Sequence, residues 1–484
     1  MKIRQSTVCQ ACRSRKLGCD GKHPACSQCL LRDRECPGYP TGLIFLPPLL
    51  PTLHQTGGAP GRGDHVASST NPTPTVRRPL SWPLCDIVSL CAQNFIPASE
   101  LSHLSIFPAA SLSRICGAWM EVLPSLLGNT ANNNLLTPAI KALGVSIVAR
   151  GHNGRAPIPD ALQAQCVALH TLQGNIRHTN DSSFNALAAS MMCLFLSEIL
   201  LPTSPTGSMI HAEGVATLLQ RYPPSFYSSG TPHKLFAGFR PILVLHSFVT
   251  RRSSFLATDA WKTEPFADLS ATPLQALMND VIAVPAILEE LDTCKFMPAS
   301  RAAYHAENAL TMIVAVVDRL TQSFLSTLLS GNSWWYMSRA ENEISLWFPD
   351  ITVANYLTHY WAFWIICVTH IRQLREAYPS LKEREVLVDG QAPESQDISK
   401  KLMDLSTQIF QSIEFLIQDE MKLFGIASAA LPFQTACLFL KRNNGSEGVC
   451  SGMYKQVLDK IVQRGYGNML INGALSFGYP QPAV

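Results

Sequence analysis

From about residue 80 to residue 465, apolar side chains recur every three or four positions, in segments separated by Gly, Pro, Asn and Ser. That period is the mark of helices burying one face. It predicts helices near 136–151, 160–177, 183–201, 208–221, 233–256, 269–292, 302–330, 338–348, 353–377, 397–424, 427–441 and 452–465. In the first of these, Thr137 is the expected N-cap, Pro138 the first helical residue and Gly151 the stop. Alternation of β-branched with polar residues is scarce, so residues 80–475 are expected to form one large all-α domain. Two segments, 184–202 and 354–371, are apolar almost throughout. The first carries Ser190, Ser197 and Glu198, the second His359 and His370, and both are marginal in length for a bilayer span. They are expected to be helices buried in protein, with no membrane partner.

N-terminal to residue 80 the pattern stops. Residues 37–79 hold nine prolines and six glycines in 43 positions, which predicts a largely disordered linker over 41–79. An apolar run, LIFLPPLLPTL at 43–53, lies within it. Pro47, Pro48 and Pro51 forbid a helix there, and the run is expected to dock on the main body. No run of apolar a and d heptad positions follows, so no dimerising coiled coil is predicted. Two arrangements stay open: a monomer, or a homodimer paired through the helical domain.

The 484-residue chain is 47% hydrophobic and 15% charged, with a net charge of +3. Such a chain can bury a large core. The charge is uneven, however: eight basic against three acidic residues give residues 1–40 a net +5 and leave −2 for the rest. Positive charge gathered at one end predicts a polyanionic partner there. No apolar core precedes residue 40, so no secretory signal is predicted, and thiols are expected to be reduced rather than paired.

Six of the 15 cysteines fall in that basic end, spaced Cys9-x2-Cys12-x6-Cys19 and then Cys26-x2-Cys29-x6-Cys36. The second half repeats the first at an offset of 17 residues. Cysteine repeats among basic residues read as metal ligation. Four thiolates close one tetrahedral zinc. Six satisfy two zinc ions if two sulfurs are shared, each metal then having four. Every coordination position is filled, so the site is structural rather than catalytic. So short a segment buries too little core to fold alone, and metal binding has to supply folding free energy, on the order of 10 kcal/mol or more per site. Two Zn2+ with six thiolates leave the cluster negative overall, yet the surrounding basic residues keep the module positive and suited to phosphates.

The stretch from Cys9 to Cys36 resembles the fungal zinc binuclear cluster (Zn2Cys6) transcription factors. All six cysteines fit that family's pattern, as do Arg13, Arg15, Lys16, Asp20, Gly21 and Pro24. The resemblance implies that Cys9 and Cys26 bridge both zinc ions, that Cys12 and Cys19 complete one, and that Cys29 and Cys36 complete the other. It implies short helices near 10–17 and 27–34, joined by a loop that Pro24 turns. Two zinc ions are then the expected cofactor and a Zn2Cys6 DNA-binding domain the expected content of residues 1–40. The partners it implies are double-stranded DNA bearing CGG-type half-sites and the transcription machinery of RNA polymerase II genes, in the nucleus. Arg15 and Lys16 match positions that reach base edges or nearby phosphates in the major groove, where cations can pair with guanine O6 and N7. Arg13 and Lys22 are assigned to phosphates, which position without specifying. Regulators with such a short linker often control a neighbouring biosynthetic gene cluster in filamentous fungi. More loosely, HAEGVATLLQRYP at 211–223, FRPILVLHSFVTRRSSFLATDAW at 239–261 and PAILEELD at 285–292 resemble the helical regulatory domain common in such factors.

No catalytic residue is nominated in the helical part. Neither a P-loop nor a dinucleotide-binding glycine fingerprint is present. Gly448-Val449-Cys450-Ser451-Gly452 mimics a nucleophile elbow, but that motif needs a strand before it and the preceding segment is a polar loop. His211, His246, His359 and His370 lie on apolar helices and read as satisfied core or boundary groups. Trp361 and Trp364 read as core, as do Trp334 and Trp335. The chain is therefore not expected to be an enzyme. The competing reading is a helical small-molecule sensor or enzyme-like body that uses the zinc module only as a DNA anchor.

Overall fold

The computed structural model describes residues 11–12, 27–30, 32, 36, 83–100, 118–128, 130–150, 158–176, 183–204, 206–294, 296–329, 336–340, 343–381, 395–442 and 449–463. The chain divides into two units, Met1–Val76 and Arg77–Val484. The expected linker at 41–79, its apolar run and Trp334 and Trp335 lie outside the described residues. In the first unit, Ser27–Leu30 is a short helix. Arg32 follows it in a turn, its N–H donating to the Cys29 carbonyl at 3.3 Å, so the helix expected over 27–34 is shorter.

The second unit is built of helices: α1 (Leu84–Phe95), α2 (Thr130–Arg150), α3 (Ile158–Ile176), α4 (Phe184–Leu200), α5 (Gly207–Leu219), α6 (Gly230–Thr250), α7 (Pro273–Val281), α8 (Val284–Cys294) and α9 (Ala299–Leu329). After a hairpin of β1 (Tyr336–Ala340) and β2 (Glu343–Trp347) come α10 (Ile351–Ala377), α11 (Ser395–Leu416), α12 (Lys422–Arg442) and α13 (Val449–Gln463). Two groups of neighbours meet in one continuous core: α1, α3 and α4 around α2, and α7, α9, α11 and α12 around α10.

The two all-apolar segments are core helices. Buried residues run along almost the whole of α4, a pattern that only enclosure by other helices satisfies. Its Ser190, Ser197 and Glu198 side chains find partners inside the protein. Ser190 donates to the Ala186 carbonyl at 2.7 Å and Ser197 to that of Cys193 at 2.8 Å. The Glu198 carboxylate accepts from the backbone of Thr203 at 2.8 Å and from its hydroxyl at 2.9 Å. In α10, Asp350 caps the N-terminus by accepting from Val353 N–H at 2.9 Å. His359 and His370 donate through Nδ1 to the carbonyls of Asn355 and Ile366, at 2.7 and 2.8 Å. Trp361 and Trp364 are fully enclosed. By length and composition, the three segments Ala299–Thr327, Ile351–Ala377 and Asp419–Lys441 are apolar enough to cross a bilayer. In the second, 89% of the most apolar stretch is buried against protein.

The structure departs from the sequence pattern at four places. The helix expected at 338–348 is the antiparallel hairpin, with Tyr336 opposite Trp347 and Ala340 opposite Glu343. Packing decides this: Leu346 is 0% exposed, Ser345 donates to Glu414 of α11 at 2.8 Å, and Trp347 and Phe348 meet Phe415 edge-on. The domain is thus mostly, not wholly, helical. The single helix expected at 269–292 is two, because Pro285 in the first turn of α8 has no N–H to continue α7. Pro138 lies inside α2 rather than at its start, the buried Leu135 and Leu136 holding the preceding turn against the core. The break expected near 425 falls at 417–421, where a 3-10 turn, Asp419–Met421, leads into Lys422 at φ 53°. The helices at Leu84–Phe95 and Leu123–Leu127 are additional to those predicted, although Leu84, Ile87, Val88, Cys91 and Phe95 of the first keep helical spacing.

Candidate metal centre and nucleic-acid interface

The N-terminal sequence repeat carries through to burial. Ala11 and Cys12 occupy the same places in the first half as Gln28 and Cys29 in the second, and all four fall into matching environments. Ala11 and Gln28 are half-buried, whereas Cys12 and Cys29 are 2% and 3% exposed. Both cysteines are helical. Cys36 is half-buried and Arg32 is exposed. Among the described residues of Met1–Val76, the buried side chains are these two cysteines alone. So short a module buries too little surface to fold on the hydrophobic effect alone, and enclosed cysteines are groups through which a metal can supply the cohesion. The donor set fits zinc, which favours thiolates and releases their protons on binding. When bound, zinc supplies cohesion here and no reaction chemistry. Cys9, Cys19, Cys26, Arg13, Arg15, Lys16 and Lys22 lie outside the described residues.

Among the described residues of either unit, no three His, Cys, Asp or Glu gather as metal ligands. Four thiols enclosed in the helical unit are poor nucleophiles. Burial pushes those of Cys91, Cys367 and Cys437 up to about 12, and raises that of Cys193 as well. At neutral pH they carry their protons and act as small apolar groups. Cys450 and Ser451 lie in the first turn of α13. Burial lowers the pKa of His359 to about 4, so its ring is neutral.

One buried group was not legible in the sequence. Arg240 of α6 is 0% exposed, and among the described residues no carboxylate meets it. Its guanidinium donates to the Gln275 carbonyl and side-chain oxygen, both at 2.7 Å, and to the Asn279 side chain, and it lies 5.2 Å from the Phe266 ring centroid. Burial lowers its pKa to about 9. The group ties α6 to α7, and its only sequence signal is an arginine amid the apolar run at 239–245.

A basic, thiolate-cored module of two like halves is the architecture of a small metal-stabilised nucleic-acid-binding domain. Residues 7–42 match the family model of the fungal Zn(2)-Cys(6) binuclear cluster domain. That domain binds two zinc ions and is found in fungal DNA-binding transcription factors, so residues 7–42 are a zinc-binding and DNA-binding module of that kind. Comparison with curated proteins and with solved structures gives no match.

Proposed function

We propose that the chain is a sequence-specific regulator of RNA polymerase II genes, acting in the nucleus, and that its N-terminal module reads CGG-type triplets in duplex DNA. In this reading residues 1–40 are the reader, 41–79 a tether, and 80–475 a regulatory body without catalytic activity. Cys9 and Cys26 bridge the two zinc ions, Cys12 and Cys19 complete one, and Cys29 and Cys36 the other. Arg15 and Lys16 reach base edges, while Arg13 and Lys22 hold phosphates. The observation that carries the reading is the equal burial of Cys12 and Cys29, 17 residues apart, inside the segment that matches the zinc cluster domain.

The test is binding of the full, zinc-loaded chain to labelled duplexes with and without a CGG triplet, across a salt series. Wild-type protein is expected to prefer the CGG duplex. The Arg15→Ala/Lys16→Ala double variant is expected to lose roughly ten- to a hundredfold of that preference while retaining salt-sensitive background binding. An unchanged preference contradicts the assignment. Genome-wide mapping of bound sites then gives the half-site count, and with it the choice between monomer and homodimer. It also shows whether the targets form a neighbouring biosynthetic cluster.

A further inference from the structure

Between α5 and α6, closed at one end by residues 252–255, lies a cleft of about 510 Å3. We infer that this cleft is a binding site for a small organic ammonium ion with an apolar body, an effector site on the helical unit. The inference stands apart from the DNA-binding reading and uses none of the cysteines.

The lining is rich in acceptors whose own protons are already committed. Thr217 donates its hydroxyl to the Glu213 carbonyl at 2.9 Å, Ser247 to that of Leu243 at 2.9 Å, and Thr250 to that of His246 at 2.8 Å. Each is left with oxygen lone pairs to offer. Gln220 gives one of its two side-chain N–H groups to the Ala216 carbonyl at 3.1 Å and keeps a carbonyl oxygen as acceptor. Glu213 and His246 both line the cleft, and among the described residues neither side chain has a hydrogen-bond or ion-pair partner. Burial lowers the pKa of His246, with the Glu213 carboxylate pulling the other way. The imidazole is therefore neutral at pH 7 and has an acceptor nitrogen.

Charge points the same way. Arg252 also lines the cleft, but its guanidinium is neutralised by Glu289, 2.9 Å away, which takes the Ser253 N–H at 2.7 Å as well. The uncompensated charge in the cleft is thus the carboxylate of Glu213. A ligand that brings one positive charge and hydrogen-bond donors meets the Glu213 carboxylate and the hydroxyl lone pairs of Thr217, Ser247 and Thr250, whereas an anion placed beside them meets the like charge of Glu213. The apolar part of such a ligand has its own surface. Leu243 is buried at the lining, and the Phe255 ring is held edge-on to Trp261 with centroids 4.7 Å apart. The volume lies within the range of ordinary small-molecule pockets, on the order of 300–1,000 Å3.

The experiment is calorimetric titration of the full, zinc-loaded chain with phenethylamine, phenethyl alcohol and hydrocinnamate, which share an aromatic body and differ in the charge of the head. Phenethylamine is expected to bind saturably, and the alcohol and the acid to bind at least roughly tenfold more weakly. Glu213 is on the surface, so Glu213→Gln should fold normally, as its melting temperature will show. This variant is expected to lose roughly tenfold in affinity for the amine and little for the alcohol. The inference is overturned if the acid binds as well as the amine, if Glu213→Gln binds the amine unchanged, or if none of the three binds at millimolar concentration.

Discussion

At the scale of single residues, the helical body stores its polar groups in neutral or self-satisfied form, and this has a cost at low pH. His359 is enclosed in α10 with its Nδ1–H on the Asn355 carbonyl. Burial takes its pKa from the ordinary 6.5 down to about 4. As pH falls through that window the unfolded chain takes up a proton and the folded chain does not, so stability is lost. The expected loss from this residue is about 2 kcal/mol between about pH 7 and about pH 5. His211 and His246 are depressed by burial too and act in the same direction. Urea unfolding at the two pH values checks this. His359→Asn, which keeps a donor for the Asn355 carbonyl, should show a smaller drop than wild type, and an equal drop contradicts the assignment. Such groups are half-legible in a sequence: a histidine amid apolar residues marks a buried site, but its partner appears only once the helix is folded. For Arg240 even that much was hidden, since Gln275 and Asn279 lie 35 and 39 residues away.

At the scale of elements, periodicity was enough for the long helices, and misleading where packing or backbone geometry decided. The 336–347 hairpin has no strong alternation of its own; it exists because β2 lies against α11 through Ser345, Trp347 and Glu414, contacts distant in sequence. The α11–α12 junction is another such place. A Cβ on Gly425 would lie 2.2 Å from the Leu416 carbonyl oxygen and 2.5 Å from the Met421 Cβ. Helix α12 can therefore start directly beneath the end of α11 only with glycine there. Gly174 of α3 provides the contrast, with nothing within 4 Å of its would-be Cβ. Gly425→Ala is expected to cost about 2–4 kcal/mol, because backbone rather than a flexible side chain has to move. Gly174→Ala is expected to gain as much as about 1 kcal/mol from helix propensity. Chemical denaturation of the two variants beside wild type measures both, and equal small effects would contradict the close junction.

At the scale of the whole molecule, the two units owe their stability to different physics. The body buries a continuous apolar core, so its class was readable from hydrophobic spacing. The N-terminal unit was readable for another reason: metal ligation is written in residue type and spacing, and the repeat at 17 residues survives without any long-range packing. The effector cleft was not readable at all, because Glu213, His246 and Arg252 come together only when α5 and α6 pack and the following turn folds back. The central claim is that two metal ions held by six thiolates give the basic head its shape. The most direct test is the zinc stoichiometry of the intact chain by native mass spectrometry, with DNA binding followed as a chelator strips the metal. The account predicts two zinc ions per chain, and loss of DNA binding as they leave while the helical circular-dichroism signal persists. Any other stoichiometry, or undiminished binding of the metal-free chain to DNA, would contradict it.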